Sequence, residues 1–104
     1  MALRVRVCRL ADVVDGELRA FAVAGVTWPV IVTRVDGALV AVPGVCPHED
    51  VALWHGELAG HAIVCPGHGY AFDVHTGRCQ GAPGLELRRY AITVADDEVW
   101  VDLL

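Results

Sequence analysis

Two short segments constrain this chain more than any other feature of its 104 residues. Cys46-Pro47-His48 and Cys65-Pro66-Gly67-His68 each carry one cysteine and one histidine around a proline, and sixteen residues lie between His48 and Cys65. Thiolate sulfur and imidazole nitrogen are the ligands that iron and zinc favour. A fold that brings the two segments together would therefore present four metal ligands from two tight loops.

The rest of the chain is typical of a small all-β protein. Leu3–Arg9 alternates apolar and charged residues, as a half-buried strand does, and Glu17–Val23 predicts a strand with two apolar faces. Asp36-Gly37 lies between the apolar segments Val30–Val35 and Ala38–Val42. This is a strong hairpin signal, because both turn residues tolerate positive φ.

Further short strands are expected along the second half of the chain, where periodicity of the helical type is weak. Together with eleven glycines and five prolines, they favour an antiparallel sandwich or a small barrel. One helical turn is predicted near the N-terminus. The predicted segments are strands over 61–64, 70–72, 87–94 and 99–103, a turn over 73–77, a second hairpin turn over 95–98, and the helical turn over 10–14.

Charge and cysteine content narrow the classes of function. The net charge of −5 argues against nucleic acid or an anionic membrane as a partner, since both attract basic surfaces. Arg4, Arg6 and Arg9 interrupt any apolar signal core at the N-terminus, and no stretch is long and apolar enough to cross a bilayer. We therefore expect a soluble cytoplasmic protein, in which cysteines near histidines indicate metal rather than disulfides.

The distribution of ligands between the loops favours an iron–sulfur cluster over zinc. Common zinc modules pair cysteine with cysteine and histidine with histidine. Here each loop contributes one of each, as in a [2Fe–2S] cluster that has two cysteines on one iron and two histidines on the other. A zinc-stabilised binding module without a redox role stays the alternative.

The two loops and their surroundings resemble those of a Rieske-type ferredoxin of bacterial ring-hydroxylating dioxygenases and multicomponent aromatic monooxygenases. The resemblance extends over nearly the whole chain, including a closing hairpin from Leu87-Arg88-Arg89-Tyr90 to Val99-Trp100-Val101. It implies a single Rieske domain over residues 1–104, an antiparallel β-sandwich base with a cluster-binding subdomain inserted at roughly residues 43–84. The motifs are Cys46-Pro47-His48-Glu49-Asp50, Cys65-Pro66-Gly67-His68-Gly69-Tyr70-Ala71-Phe72-Asp73 and Thr76-Gly77.

The resemblance also implies a cofactor and its ligands. Cys46 and Cys65 would bind the inner iron of one Rieske [2Fe–2S] cluster, and His48 and His68 would bind the outer iron. We expect His55, His61 and His75 to have surface or turn roles, because none has ligand spacing to a cysteine. Cys8 and Cys79 are expected to be small buried hydrophobic residues, with a disulfide between them as an unsupported alternative.

A member of this family would carry electrons and would not be an enzyme. It would take one electron from an NAD(P)H-dependent flavoprotein reductase, deliver it to a terminal oxygenase, and be a monomer in isolation. No Gly-x-Gly-x-x-Gly motif follows a strand, so the chain has no sign of a nicotinamide or flavin site of its own. The alternative is a Rieske-like small subunit of a larger oxidoreductase, such as assimilatory nitrite reductase.

A comparison with another branch of the family leads to an expected redox potential. Rieske subunits of respiratory cytochrome complexes carry an extra disulfide between the ligand loops, at positions occupied here by Val51 and Gly67. They also carry two hydroxyls, of a serine and a tyrosine, that donate to cluster or ligand sulfur. At these positions this chain has Tyr70, whose longer ring we do not expect to place its hydroxyl where the serine would, and Phe72, which has no hydroxyl. Without these donors the reduced cluster is less stabilised, so we expect a potential near the low end of the Rieske range.

Overall fold

Within residues 3–67 and 69–103, which the computed structural model describes, ten β-strands form three antiparallel sheets. Two short 3-10 helices, Leu10–Asp12 and Leu53–His55, connect strands. The strands are β1 (Arg4–Arg9), β2 (Arg19–Phe21), β3 (Val30–Val35), β4 (Ala38–Pro43), β5 (Glu57–Ala59), β6 (Ala62–Val64), β7 (Ala71–Asp73), β8 (Cys79–Gln80), β9 (Ala91–Ala95) and β10 (Glu98–Asp102).

The three sheets have the strand orders β1-β10-β9, β2-β3-β4 and β5-β6-β7-β8. Because every strand pair is antiparallel, tight turns are enough to connect most neighbouring strands. The expectation of an all-β antiparallel protein is therefore confirmed.

The sheet β2-β3-β4 is buried on both faces, because side chains of β3 alternate between two cores. Ile31 and Val35 pack into one core and Val30 and Val32 into the other. The loop-side core, as we call the first, consists of Ile31, Val35, Val40, Val42, Cys46, Leu53, Ile63, Cys65, Phe72, Val74, Cys79 and Leu87. The terminal core consists of Val7, Cys8, Val13, Val23, Val30, Val32, Ala41, Val99 and Val101.

Both predicted hairpins form at the expected turns. Asp36 and Gly37 have φ of 52° and 78°, so the turn between β3 and β4 has the two left-handed residues that the dipeptide predicts. Asp96 and Asp97 adopt the same region, with φ of 53° and 61°, between β9 and β10. Local turn chemistry therefore sets the register of both strand pairs.

One predicted strand is shorter than expected. We expected a strand over residues 87–94, whereas β9 begins at Ala91. The amide of Leu87 donates to the carbonyl of Gly77, and the amide of Tyr90 donates to the carbonyl of Ala41. The amides of Leu87 and Tyr90 therefore bond to other parts of the chain and not to β10, and the β9–β10 pairing begins only at Ala91.

Other boundaries differ by a few residues, and three elements were missed. The predicted strand over 17–23 is limited to Arg19–Phe21, and the helical turn over 10–14 is limited to Leu10–Asp12. The elements that we did not predict are the helix Leu53–His55 and strands β5 and β8. The helical segments among the described residues are too short to cross a membrane.

Candidate metal centre

The first ligand loop begins where the chain leaves β4. The amide of Cys46 donates to the carbonyl of Val51 over 2.9 Å, which closes the loop, and Val45 forms an isolated bridge with Ala52. The Cys46 side chain lies in the loop-side core. A β-carbon at Gly44 would lie 2.7 Å from the carbonyl oxygen of Pro29, so a glycine is needed for the chain to enter the loop.

The second ligand loop begins at the end of β6 and is closed in the same way. The amide of Cys65 donates to the carbonyl of Tyr70 over 2.8 Å, and Gly69, with φ of 72°, donates to the carbonyl of Cys65. Cys65 also lies in the loop-side core. Each loop therefore starts at a buried cysteine whose amide bonds to a carbonyl five residues further along.

The fold brings three of the four predicted ligands together. The Nδ1 atom of His48 lies 2.5 Å from Sγ of Cys46 and 3.8 Å from Sγ of Cys65. The possible ligand atoms of these three residues all lie within 4.8 Å of one another. The fourth predicted ligand, His68, lies outside the described residues.

The three side chains differ in their access to solvent. Cys46 and Cys65 are only 2% and 1% exposed, whereas the side chain of His48 is 11% exposed and lies on the outer side of the group. Nε2 of His48 is 3.0 Å from Oε1 of Glu49, and its ring makes an edge contact with Tyr70 at a centroid distance of 4.7 Å. The histidine is therefore the member of the group nearest to the surface.

Burial strongly disfavours an uncompensated thiolate at this site. It raises the pKa of the Cys46 thiol to about 11, and the neighbouring Cys65 adds to the rise, although a hydrogen bond from the His48 amide opposes it. A thiolate here needs a positive centre to compensate its charge, and a metal supplies one. The amide of Gly67 also points to Sγ of Cys65, 3.4 Å away, as a further donor to sulfur.

The donor set fits an iron–sulfur cluster. Two buried sulfur atoms and one imidazole match the soft and intermediate ligands that such clusters take. The loops also approach closely: a β-carbon at Gly67 would lie 3.4 Å from the His48 ring and from Oε1 of Glu49. Residues Cys46, His48 and Cys65 could therefore hold a metal centre whose inner side is apolar and whose outer side is accessible.

The other cysteines and histidines lie apart from this group. All four cysteines are among the described residues and none forms a disulfide, with Cys8 in the terminal core and Cys79 in the loop-side core. His55, at the end of its 3-10 helix, is exposed. His61 and His75 lie in exposed turns, where they meet Asp36, a grouping that their spacing in the sequence did not predict.

Comparisons with known proteins agree with this geometry. The protein-family model described as the Rieske [2Fe-2S] domain matches residues 4–91 of this chain. The ferredoxin component of biphenyl 2,3-dioxygenase from Rhodococcus jostii (strain RHA1) is 33% identical over 104 residues, covering 99% of this chain and 94% of that protein. The solved Sphingomonas yanoikuyae B1 ferredoxin has a TM-score of 0.86 at 31% identity, covering 98% of this chain and 100% of its own.

Two further solved structures bear on the choice between functions. A chain from a solved complex of reduced oxygenase and oxidized ferredoxin in carbazole 1,9a-dioxygenase has a TM-score of 0.81 at 33% identity, and the match covers 95% of this chain and 92% of that chain. A proposed NADH-dependent nitrite reductase small subunit from Mycobacterium tuberculosis has a TM-score of 0.83 but 19% identity, covering 100% and 97%, so it shares the fold alone. With the family model matched over most of its length, the chain belongs to the Rieske [2Fe–2S] family.

Proposed function

We propose that this protein is the ferredoxin of a multicomponent oxygenase system. It accepts one electron from an NAD(P)H-dependent flavoprotein reductase and passes it to a terminal oxygenase, without itself converting an organic substrate. The observation that carries the proposal is the group formed by Cys46, His48 and Cys65, buried on its sulfur side and accessible at the histidine. Relatives named as ferredoxin components of dioxygenases support it.

We propose Cys46, His48, Cys65 and His68 as the four ligands of one [2Fe–2S] cluster, with the cysteines on the inner iron and the histidines on the outer iron. When bound, such a cluster takes up and releases one electron. The contacts of the described ligands support this division, because both cysteines are core residues and His48 is the more exposed. Neutral imidazoles in place of two thiolates make reduction easier than in an all-cysteine cluster.

The protein's own residues would shield the cluster from water and hold its ligands in position. The loop-side core keeps water from the sulfur atoms, and the paired amide-to-carbonyl bonds that close the two loops hold the cysteines in place. Glu49 stands beside Nε2 of His48 and fixes the orientation of the imidazole that faces a docked partner. A partner that reaches His48 shortens the distance over which the electron has to move.

We also propose the organisation and setting of the molecule. Residues 1–104 make one Rieske domain with a cluster-binding subdomain at roughly 43–84, and sheet β5-β6-β7-β8 lies inside that range. The protein is a monomer in isolation and acts in the cytoplasm, a location that its unpaired cysteines support. Exposed Glu49 and Asp50 beside the first loop fit a basic docking surface on a reductase or oxygenase.

A spectroscopic experiment on the purified holoprotein tests the ligand set and the redox role together. We expect two iron and two sulfide per chain, and a Rieske-type electron paramagnetic resonance signal after reduction. His48→Ala and His68→Ala should lose that signal, and His55→Ala, which removes an exposed histidine outside the group, should keep it. A colourless protein that contains zinc, or a signal unaffected in His48→Ala, would contradict the proposal.

Reconstitution separates a shuttle from a fixed subunit. Mixed with an NAD(P)H-dependent flavoprotein reductase and a terminal oxygenase of a dioxygenase system, the protein should be reduced by NAD(P)H only when the reductase is present, and it should support turnover by the oxygenase. Copurification in tight stoichiometry with a larger oxidoreductase, without such turnover, would instead favour the alternative of a permanent small subunit.

A further inference from the structure

We propose that Asp36, His61 and His75 form a second metal site, which takes a divalent transition-metal ion of the class of Zn²⁺. Oδ2 of Asp36 lies 2.5 Å from Nε2 of His61, and the rings of His61 and His75 meet edge to face at a centroid distance of 4.9 Å. One possible ligand atom from each of the three residues lies within 4.8 Å of the others. The site shares no residue with the cysteine loops.

Each ligand is carried by a turn, so three turns converge on the site. Asp36 is the first residue of the β3–β4 turn, in a left-handed conformation that the six residue pairs of that hairpin hold in place. His61 stands between β5 and β6, directly after Gly60, whose φ is 59°. His75 lies between β7 and β8. Turns at strand ends project these side chains away from the sheets.

The backbones of the two histidines are tied to each other and to a neighbouring carboxylate. The amide of Val74 donates to the carbonyl of His61 over 2.8 Å, which joins the two turns. Oδ1 of Asp73 accepts from the amides of His75, at 2.7 Å, and Thr76, at 3.2 Å. The backbone positions of the two histidines are therefore set by the fold, so an ion has to order only their side chains on binding.

The local charge favours a cation. The Asp73 carboxylate accepts the amide hydrogen bonds of His75 and Thr76, so it places a further acidic group beside the two histidines. Asp73 is not itself a member of the ligand group. Asp36 supplies a further negative charge as a direct ligand. Two neutral imidazoles and one carboxylate form a donor set that suits zinc and its neighbours and suits magnesium or calcium poorly.

The distances can adjust to a metal without disturbing the core. Metal bonds of about 2.0–2.2 Å in tetrahedral geometry place ligand atoms about 3.3 Å apart. Oδ2 of Asp36 and Nε2 of His61 are 2.5 Å apart. Binding an ion between them would therefore require these two atoms to move apart by less than about one ångström. The side chains of His61 and Asp36 are 55% and 63% exposed, so they can rotate freely, and water can take the fourth position.

The site lies at the opposite end of the β6–β7 hairpin from the second cysteine loop. Three residues, those of β6, lie between His61 and Cys65, and the four steps along the strand make a path of about 13 Å at the usual rise per strand residue. An ion at this end would join the β3–β4 turn to the sheet β5-β6-β7-β8. The expected consequence is a cross-link between two sheets, whose stabilising effect increases with the logarithm of the free zinc concentration once that concentration exceeds the dissociation constant.

Calorimetric titration of the holoprotein with zinc chloride tests the site. We expect saturable binding of one ion per chain, with the visible absorption of the protein unchanged. His61→Ala, His75→Ala and Asp36→Asn should each weaken binding by about tenfold or more, the scale on which even indirect contacts to a metal matter. Asparagine is chosen at position 36 because it tolerates positive φ. His55→Ala is the matched control and should bind as the wild type does.

A second readout distinguishes this site from adventitious zinc. The melting temperature should rise with zinc in the wild type and in His55→Ala, and much less in His61→Ala. Four results would each overturn the proposal: no saturable binding, equal affinity in the wild type and His61→Ala, undiminished affinity in Asp36→Asn, or loss of visible absorption on titration, which would locate the zinc at the cysteine loops instead.

Discussion

Thr33 offers a direct test of how the middle sheet is packed. This residue lies in β3 opposite Val40, and its side chain is on the same face as Ile31 and Val35, towards the loop-side core. It is completely buried, and its hydroxyl has no hydrogen-bond partner among the described residues. Folding therefore removes this hydroxyl from water without replacing the lost hydrogen bonds.

The structure sets the expected size of the effect. Leaving a buried hydroxyl unsatisfied costs about 1–3 kcal/mol. Valine has nearly the same shape as threonine, so Thr33→Val removes the cost without creating a cavity or a clash. We expect the free energy of unfolding to increase by about 1–2 kcal/mol. For a chain of this length, that is a rise of about 5–10 °C in melting temperature.

The assay compares holoproteins melted at one scan rate and followed by circular dichroism and visible absorption. Thr33→Ser is the matched control, because it keeps the hydroxyl and removes the methyl group. It should destabilise the protein by about 1 kcal/mol through lost burial. If Thr33→Val melted at or below the wild-type temperature, the hydroxyl would have a partner, and the account of the core around it would be wrong.

Three further predictions follow from the same coordinates. Gly56→Ala would place a β-carbon 2.0 Å from the carbonyl oxygen of Val64, so urea unfolding should show a destabilisation of about 3 kcal/mol. The control Gly16→Ala has open space around the new β-carbon but a φ of 78°, so it should cost only about 1 kcal/mol. Burial raises the pKa of the Cys8 thiol from 9.0 to about 11. As the pH rises above 9, the thiol therefore loses its proton in the unfolded chain but keeps it in the folded protein. Wild type should therefore lose about 2–3 kcal/mol of stability between pH 9 and pH 11 that Cys8→Ala does not lose; identical pH profiles would refute this. Phe72 is buried and offers no hydroxyl, and Val51 and Gly67 cannot form a disulfide, so a reduced cluster lacks these sources of stabilisation. Protein-film voltammetry should therefore give a midpoint potential on the order of −150 mV. A midpoint above about +100 mV would contradict this prediction.

The sequence was most informative where structure depends on a few adjacent residues. Asp36-Gly37 predicts the β3–β4 hairpin, because the turn's own backbone preference decides the register. Strands β5 and β8 have three and two residues, too few for alternation to stand out from chance. They form because neighbouring strands supply hydrogen-bond partners, and that is information a local pattern does not contain.

The two candidate metal sites differ in the same way: the sequence predicts one of them, whereas the other depends on tertiary packing. Cys46 and His48 are two residues apart, so their shared loop is visible in the sequence, and the similar pair at the second loop predicts that the two loops meet. Asp36, His61 and His75 come from three separate turns, and only the packing of the β3–β4 turn against sheet β5-β6-β7-β8 brings them together. Nothing in their spacing marks them as a group.

If Cys46 and Cys65 bind the cluster as proposed, their placement in the core couples cofactor binding to folding. Cys46 and Cys65 are core residues that pack with Phe72, Leu53 and Ile63, while the strands of sheet β5-β6-β7-β8 are two or three residues long. Strands this short form few hydrogen bonds with one another, so the sheet depends on the core side chains that pack against it. With the proposed ligand set, metal ligation at these two core positions would add binding free energy to the loop-side core. The two cysteine loops would thus both bind the cluster and stabilise the sheet β5-β6-β7-β8. A substitution that loosens either loop should therefore weaken cluster binding and lower the stability of the fold.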